Sequence, residues 1–311
     1  MMRITLVAAM WAGLIAVPWW LPLIGGYTAL GSKVLIYGMA TMGLNLLIGF
    51  TGGLSFGQAA YFGLGAYGAG MTLKYLAPST PLAILIGTLA GGLAATLLGP
   101  LVMRRRGIYF AMITIAIGQL LYFVAVRWNN VTGGEDGLAG FGRQDIHLGA
   151  IVVPLTQVNF YYLVLLCFTA AVAVMWGLLQ SPLGHVWVAI RENRRRTQFL
   201  GLRAERYVWA AFAISGFITA FAGTLNALLF NFTSPQDLHW ILSGNFVIMI
   251  VLGGMHKFFG PLLGALIFIV AQDYLSGVTG NWMTFIGLIF VVIVLAFPNG
   301  LLGIIGRARL A

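Results

Sequence analysis

The stretch NFYYLVLLCFTAAVAVMWGLLQSPLGHVWVAIRENRRRTQFLGLRAER, residues 159–206, decides how the chain folds. Its first half, Asn159–Gln180, carries no charge. It matches the roughly 20 apolar residues that a helix needs to cross a bilayer. Its second half, Ser181–Arg206, holds six of the chain's seventeen basic residues: Arg191, Arg194, Arg195, Arg196, Arg203 and Arg206. A basic, helix-capable segment between apolar runs belongs on the cytoplasmic face of a membrane.

The rest of the chain repeats the first half of that pattern. Of 311 residues, 60% are hydrophobic and 8% are charged, against about 25% charged in a soluble domain. The apolar runs are continuous, so helices cross the membrane; a β-barrel shows segments of about ten alternating residues instead. The 42 glycines suit close helix packing. The net charge of +10 fits the inside bias of Lys and Arg and contact with anionic lipid, not nucleic acid. Cys167 is the only cysteine, so there is no disulfide framework, and no metal-ligand spacing occurs. Met1–Trp20 reads as a retained first span, because no cleavage site into a polar domain follows it.

The expected fold is all-α: one polytopic transmembrane helical bundle over residues 1–311, with about ten spans. These run over 4–24, 31–50, 55–76, 81–103, 108–127, 159–180, 207–231, 241–254, 259–276 and 282–298. The eighth and ninth are short and joined by GGMHKFFGP, Gly253–Pro261, a pattern that fits broken or re-entrant helices. With the N-terminus inside, thirteen of the seventeen basic residues fall in the cytoplasm, including Arg3, Arg104–Arg106, Lys257, Arg307 and Arg309. Both termini are then cytoplasmic, and residues 128–158 form the longest external loop.

Catalytic signatures are missing. No G-x-x-x-x-G-K-[ST] phosphate loop, H-E-x-x-H or G-x-S-x-G occurs. No carboxylate pair lies within a span. That leaves transport or scaffolding, with no cofactor and no metal held by this chain. Asp273, the one acidic residue at a span, lies near its outer end, where a solvated interfacial carboxylate is the better reading than a proton site.

The most distinctive intramembrane stretch is GLNLLIGFTGGLSFGQAAYFGLGAYGAG, Gly43–Gly70. Its glycines read first as helix packing. The second reading is a glycine-interrupted turn at Thr51–Ser55 beside a substrate path, flanked by Asn45 and Gln58. An amide in hydrocarbon needs a partner, so each faces protein or water. An interhelical hydrogen bond and a place on the path are both open for each. Gln119 and Asn245 are further path candidates at span depth, and Thr114, Asn226 and Gln272 are other polar groups there.

In the basic segment, Pro182 opens a helix and Gly201 suits its C-terminus. Val186, Ala189, Ile190 and Asn193 fall on one helical face, with Arg191, Arg194 and Arg195 on others. Such a segment either lies on lipid headgroups or inserts into a partner's groove; composition favours lipid.

Five stretches in order resemble one family: Gly43–Tyr67, TGGEDGL (Thr132–Leu138), Gly184–Gly201, VLGGMHKFFGPLLGA (Val251–Ala265) and LAFPNGLLG (Leu295–Gly303). Together they are similar to LivM-type permeases of ABC importers for branched-chain amino acids. The resemblance implies a multi-pass protein of the bacterial inner membrane. It implies a LivH-like second permease, two cytoplasmic ATPase subunits that hold ATP and Mg, and a periplasmic binding protein. It also implies that Gly184, Ala189, Ile190, Arg191, Glu192, Asn193 and Gly201 belong to the ATPase-coupling segment. Relatives that carry urea or short amides give an alternative cargo, and an autonomous carrier or channel is a reading of another class.

Overall fold

The computed structural model describes residues 2–148, 151–297 and 300–302. Apolar runs become helices in the order α1 (Met2–Trp20), α2 (Thr28–Asn45), α3 (Gln58–Met71), α4 (Thr80–Val102), α5 (Ile108–Arg127) and the short α6 (Asn129–Thr132). After a two-stranded hairpin come α7 (Gln157–Gln180), α8 (Pro182–Phe199), α9 (Ala204–Phe230), α10 (Trp240–Gly253), α11 (Gly260–Val278) and α12 (Trp282–Ala296). Wider π-helical turns extend α2 over Leu46–Thr51 and α3 over Thr72–Leu76.

By length and composition, six of these helical stretches are able to cross a membrane: Thr28–Thr51, α4, α5, α7, α9 and α11; α10 and α12 are shorter apolar helices. The chain is thus a membrane helical bundle. The expected break within the eighth or ninth run is absent, since α10 and α11 are each unbroken and meet through the turn between them.

The core lies between α2, α3, α4 and α9. The apolar windows of Thr28–Thr51 and α9 are 83% and 67% buried, whereas those of α4, α5 and α7 reach only 28–33%. The first two are therefore central, and the others turn one face to lipid. Large apolar side chains such as Leu97 and Leu120 stand on those outer faces, where hydrocarbon takes the place of water. Helices in lipid gain little from the hydrophobic effect and depend on close packing. Gly65 of α3 and Gly223 of α9 supply it: a Cβ on the first would overlap the Ala220 carbonyl oxygen, and one on the second that of Phe62.

The all-α expectation holds for the bundle and needs one correction outside it. Within loop 128–158, β1 (Ile146–Leu148) pairs antiparallel with β2 (Ile151–Val153). The same loop is tied to the segment after α9, where Leu138 N–H donates to the Thr233 carbonyl at 2.8 Å and receives the reciprocal bond at 3.2 Å. Arg307, Arg309 and part of the LAFPNGLLG motif lie outside the described residues, as does the expected cytoplasmic C-terminus.

Candidate functional site

The basic segment folds as α8, but as two helical pieces. Asn193 breaks it with φ −155° and ψ 95°. The Asn193 side chain then caps the second piece, its Oδ1 accepting from Arg196 N–H at 2.9 Å. Asparagine suits this role because its short side chain reaches the free N–H groups of a first turn. Gly201 follows with φ +84°, a left-handed conformation that ends the segment at little steric cost.

Val186, Ala189, Ile190 and Asn193 do not share one environment. Ala189 and Asn193 are exposed, and Gly184, Trp187 and Ile190 point into the protein. Trp187 sets the phase: its indole N–H donates to the Tyr207 carbonyl at 2.8 Å, holding α8 against α9. The second piece is anchored as well. Arg194 meets Glu205 at 2.8 Å, and Gln198 donates to the same carboxylate at 3.1 Å. Glu192, Arg195 and Arg196 remain exposed.

Arg191 turns the other way, into the bundle. Its guanidinium donates to the Gly49 carbonyl, within the π-helical turn that ends α2. The turn ends at Gly52, whose φ of +75° reverses the chain toward α3. The α10–α11 turn closes on the same place: Asn45 Nδ2 donates to the Lys257 carbonyl at 3.4 Å. Burial pushes the His256 imidazole below its ordinary range, and the positive Arg191 and Lys257 act in the same direction. One side chain of the basic segment therefore touches the glycine-interrupted turn directly.

The six path candidates do not form one cluster of equivalents. Thr51 is buried and donates to the Leu47 carbonyl of its own turn at 2.8 Å. Buried Ser55 accepts from Gly57 N–H at 3.4 Å. Gln58, the first residue of α3, is fully buried, and among the described residues neither its Oε1 nor its Nε2 has a partner. Asn45 Oδ1 and Gln119 Oε1 are also unpartnered. Gln119 is half-buried on α5 and Asn245 half-buried on α10. Those two helices contact each other and α3, so Gln58, Gln119 and Asn245 stand on three helices that meet. The interhelical hydrogen bond open to Gln58 is not formed among the described residues.

An unsatisfied buried polar group costs about 1–3 kcal/mol. Native proteins keep such groups where water, an ion or a ligand supplies the partner. Ser243 belongs to the same place and was not singled out from sequence: its Oγ accepts Ala59 N–H at 2.8 Å, satisfying the first turn of α3. A hydroxyl two residues before Asn245 in an apolar run was the available signal. Thr114 does the same for Phe56 N–H at 3.1 Å. Tyr67 OH and Asn226 Oδ1 complete the buried unpartnered oxygens on α3 and α9. Asp273 accepts from the Tyr27 hydroxyl at 2.7 Å in an exposed setting, in keeping with an interfacial carboxylate.

Comparison with known proteins meets this arrangement from another side. The chain is 29% identical to the high-affinity branched-chain amino acid transport system permease protein LivM of Salmonella typhimurium, over 93% of this chain and 72% of that protein. It is 24% identical to the permease protein BraD of Pseudomonas aeruginosa, over 86% of this chain and 91% of that one. A ribose import permease protein, RbsC of Haemophilus influenzae, is 25% identical over 60% of this chain and 57% of its own. No solved structure matches. The family model described as branched-chain amino acid transport system, permease component, matches residues 26–295. The chain belongs to that permease family.

Proposed function

We propose that this chain is the transmembrane subunit of an ATP-driven importer in the bacterial inner membrane, and that it forms half of the path for branched-chain amino acids. A LivH-like permease forms the other half. Two cytoplasmic ATPase subunits dock beneath and hold ATP and Mg, while a periplasmic binding protein delivers cargo from outside. The chain crosses the membrane about ten times, with α1, α3, α10 and α12 joining the six longer stretches, and both ends are cytoplasmic.

In this reading α8 is the coupling segment. Its exposed Ala189, Glu192 and Asn193 face the ATPase, and its buried side holds the bundle. The observation that carries the reading is the Arg191–Gly49 contact, a direct link from the basic segment to the turn beside Asn45 and Gln58. ATP shifts the permease only through its different affinity for two states, and this contact gives that difference a route inward. The unpartnered amides line the path, where cargo completes their hydrogen bonds. The test is ATP-dependent leucine uptake into proteoliposomes. The assembled complex takes up leucine with ATP, and this chain alone takes up none with ATP or with an ion gradient. Uptake by the chain alone sinks the reading.

A further inference from the structure

Beside α8 lies an arginine-lined cavity. It has a volume of about 180 Å³ and opens between the α4–α5 turn, the α2–α3 loop and α8. Arg105, Arg106, Arg191 and Arg194 line it, over a floor that includes Phe110 and Met103. Glu205 reaches two of the four guanidiniums, at 2.8 Å to Arg194 and 3.5 Å to Arg106. Arg105 makes no ion pair among the described residues, and Arg194 Nε is buried without a partner. Four positive groups against one carboxylate leave a strong preference for an anion.

Met103 also lines a neighbouring groove of about 400 Å³, bounded by Pro100, Arg104, Glu205, Arg206 and Trp209. Trp209, in the second turn of α9, donates its indole N–H to the Thr96 carbonyl at 2.9 Å, and tryptophan favours the membrane interface. Exposed Leu101 and Leu97 continue this apolar surface along α4. A small free anion has use for the arginine pocket alone. An amphiphile with an anionic head has use for both the pocket and the groove.

We infer that this paired cavity binds one anionic phospholipid, its phosphate among Arg105, Arg106, Arg191 and Arg194 and an acyl chain in the groove toward Leu97. The pocket shares Arg191 and Arg194 with α8, and lipid binding is measured without ATPase or cargo. Basic pockets at the cytoplasmic ends of membrane helices hold anionic headgroups by charge and keep their chains in contact with protein.

The test uses the full chain in neutral detergent, with thermal unfolding followed by intrinsic fluorescence. The probes are phosphatidylglycerol, phosphatidylcholine with the same acyl chains, and inorganic phosphate. Phosphatidylglycerol raises the unfolding temperature saturably, and the other two do not. Arg105→Gln, an exposed position, raises the half-saturating lipid concentration about fivefold, the effect of one basic group at an anionic surface. Arg195→Gln, outside the cavity, leaves it unchanged. An equal shift with phosphatidylcholine overturns the proposal in favour of a merely apolar effect. An equal shift with phosphate overturns it in favour of a free-anion site, and an unchanged half-saturation in Arg105→Gln overturns it outright.

Discussion

Replacing Gln58 by leucine separates stability from transport. Gln58 is fully buried at the start of α3 with both amide atoms unpartnered. Leucine is similar to glutamine in volume and carries no polar atom. At the lower end of about 1 kcal/mol for each unsatisfied group, removing two stabilises the folded chain by about 2 kcal/mol. That corresponds to about a thirtyfold rise in the folded-to-unfolded ratio. Most buried polar-to-apolar changes that impair a protein do so by unfolding it; this one has the opposite sign. If the amide stays unpartnered until cargo reaches it on the path, Gln58→Leu assembles fully, resists unfolding in mixed micelles better than the parent, and loses uptake by tenfold or more, about 1.4 kcal/mol of barrier. Lower stability means that the amide has a partner in the folded chain and overturns the prediction. Parental uptake also refutes it, by removing Gln58 from the path.

Three further outcomes follow from particular contacts. Asn193→Ala removes the cap on Arg196 N–H and costs about 1 kcal/mol locally; hydrogen exchange over 194–199 then speeds up about fivefold, and exchange over 182–190 stays as it was. Gly223→Val drives a side chain into the Phe62 carbonyl and costs about 3 kcal/mol or more, read as lost monodisperse protein, whereas Gly244→Ala meets nothing within 4 Å and folds normally. Burial pushes the Asp237 carboxyl from an ordinary 3.8 up to about 6, against the opposing hydrogen bonds from Ser234 N–H and the Thr233 hydroxyl. A raised carboxyl pKa means that the folded state holds its proton longer, so stability falls as pH rises from about 4 to 6, by about 3 kcal/mol in all. Thermal unfolding at pH 5 and pH 7 checks this, and Asp237→Asn flattens the difference.

Much of the bundle is legible in the sequence because lipid imposes a simple rule: a long apolar run must satisfy its backbone as a helix. The run 159–180 becomes α7 on that ground alone. Gly201 was legible because a left-handed helix end favours glycine. The break at Asn193 was not, because helical spacing runs straight through it and the cap appears only with the backbone turned. Nor was the buried face of α8, whose phase is set by the Trp187 contact to Tyr207, a partner in another helix. The amides show the same division. Residue type marked Asn45 and Gln58 as unusual in hydrocarbon. Whether each was paired depended on neighbours far along the chain, such as Lys257 for Asn45.

Arg191 joins α8, the proposed coupling segment, to the turn that ends α2. The direct measurement is leucine taken up per ATP hydrolysed by proteoliposomes of the assembled complex carrying Arg191→Gln, which shortens the reach to Gly49 and removes the charge. A hydrogen bond from a charged donor contributes about 1.5–3 kcal/mol. The expected result is that the ATPases remain bound and hydrolyse ATP, while uptake per ATP falls about tenfold or more. A parental ratio of uptake to hydrolysis would contradict it.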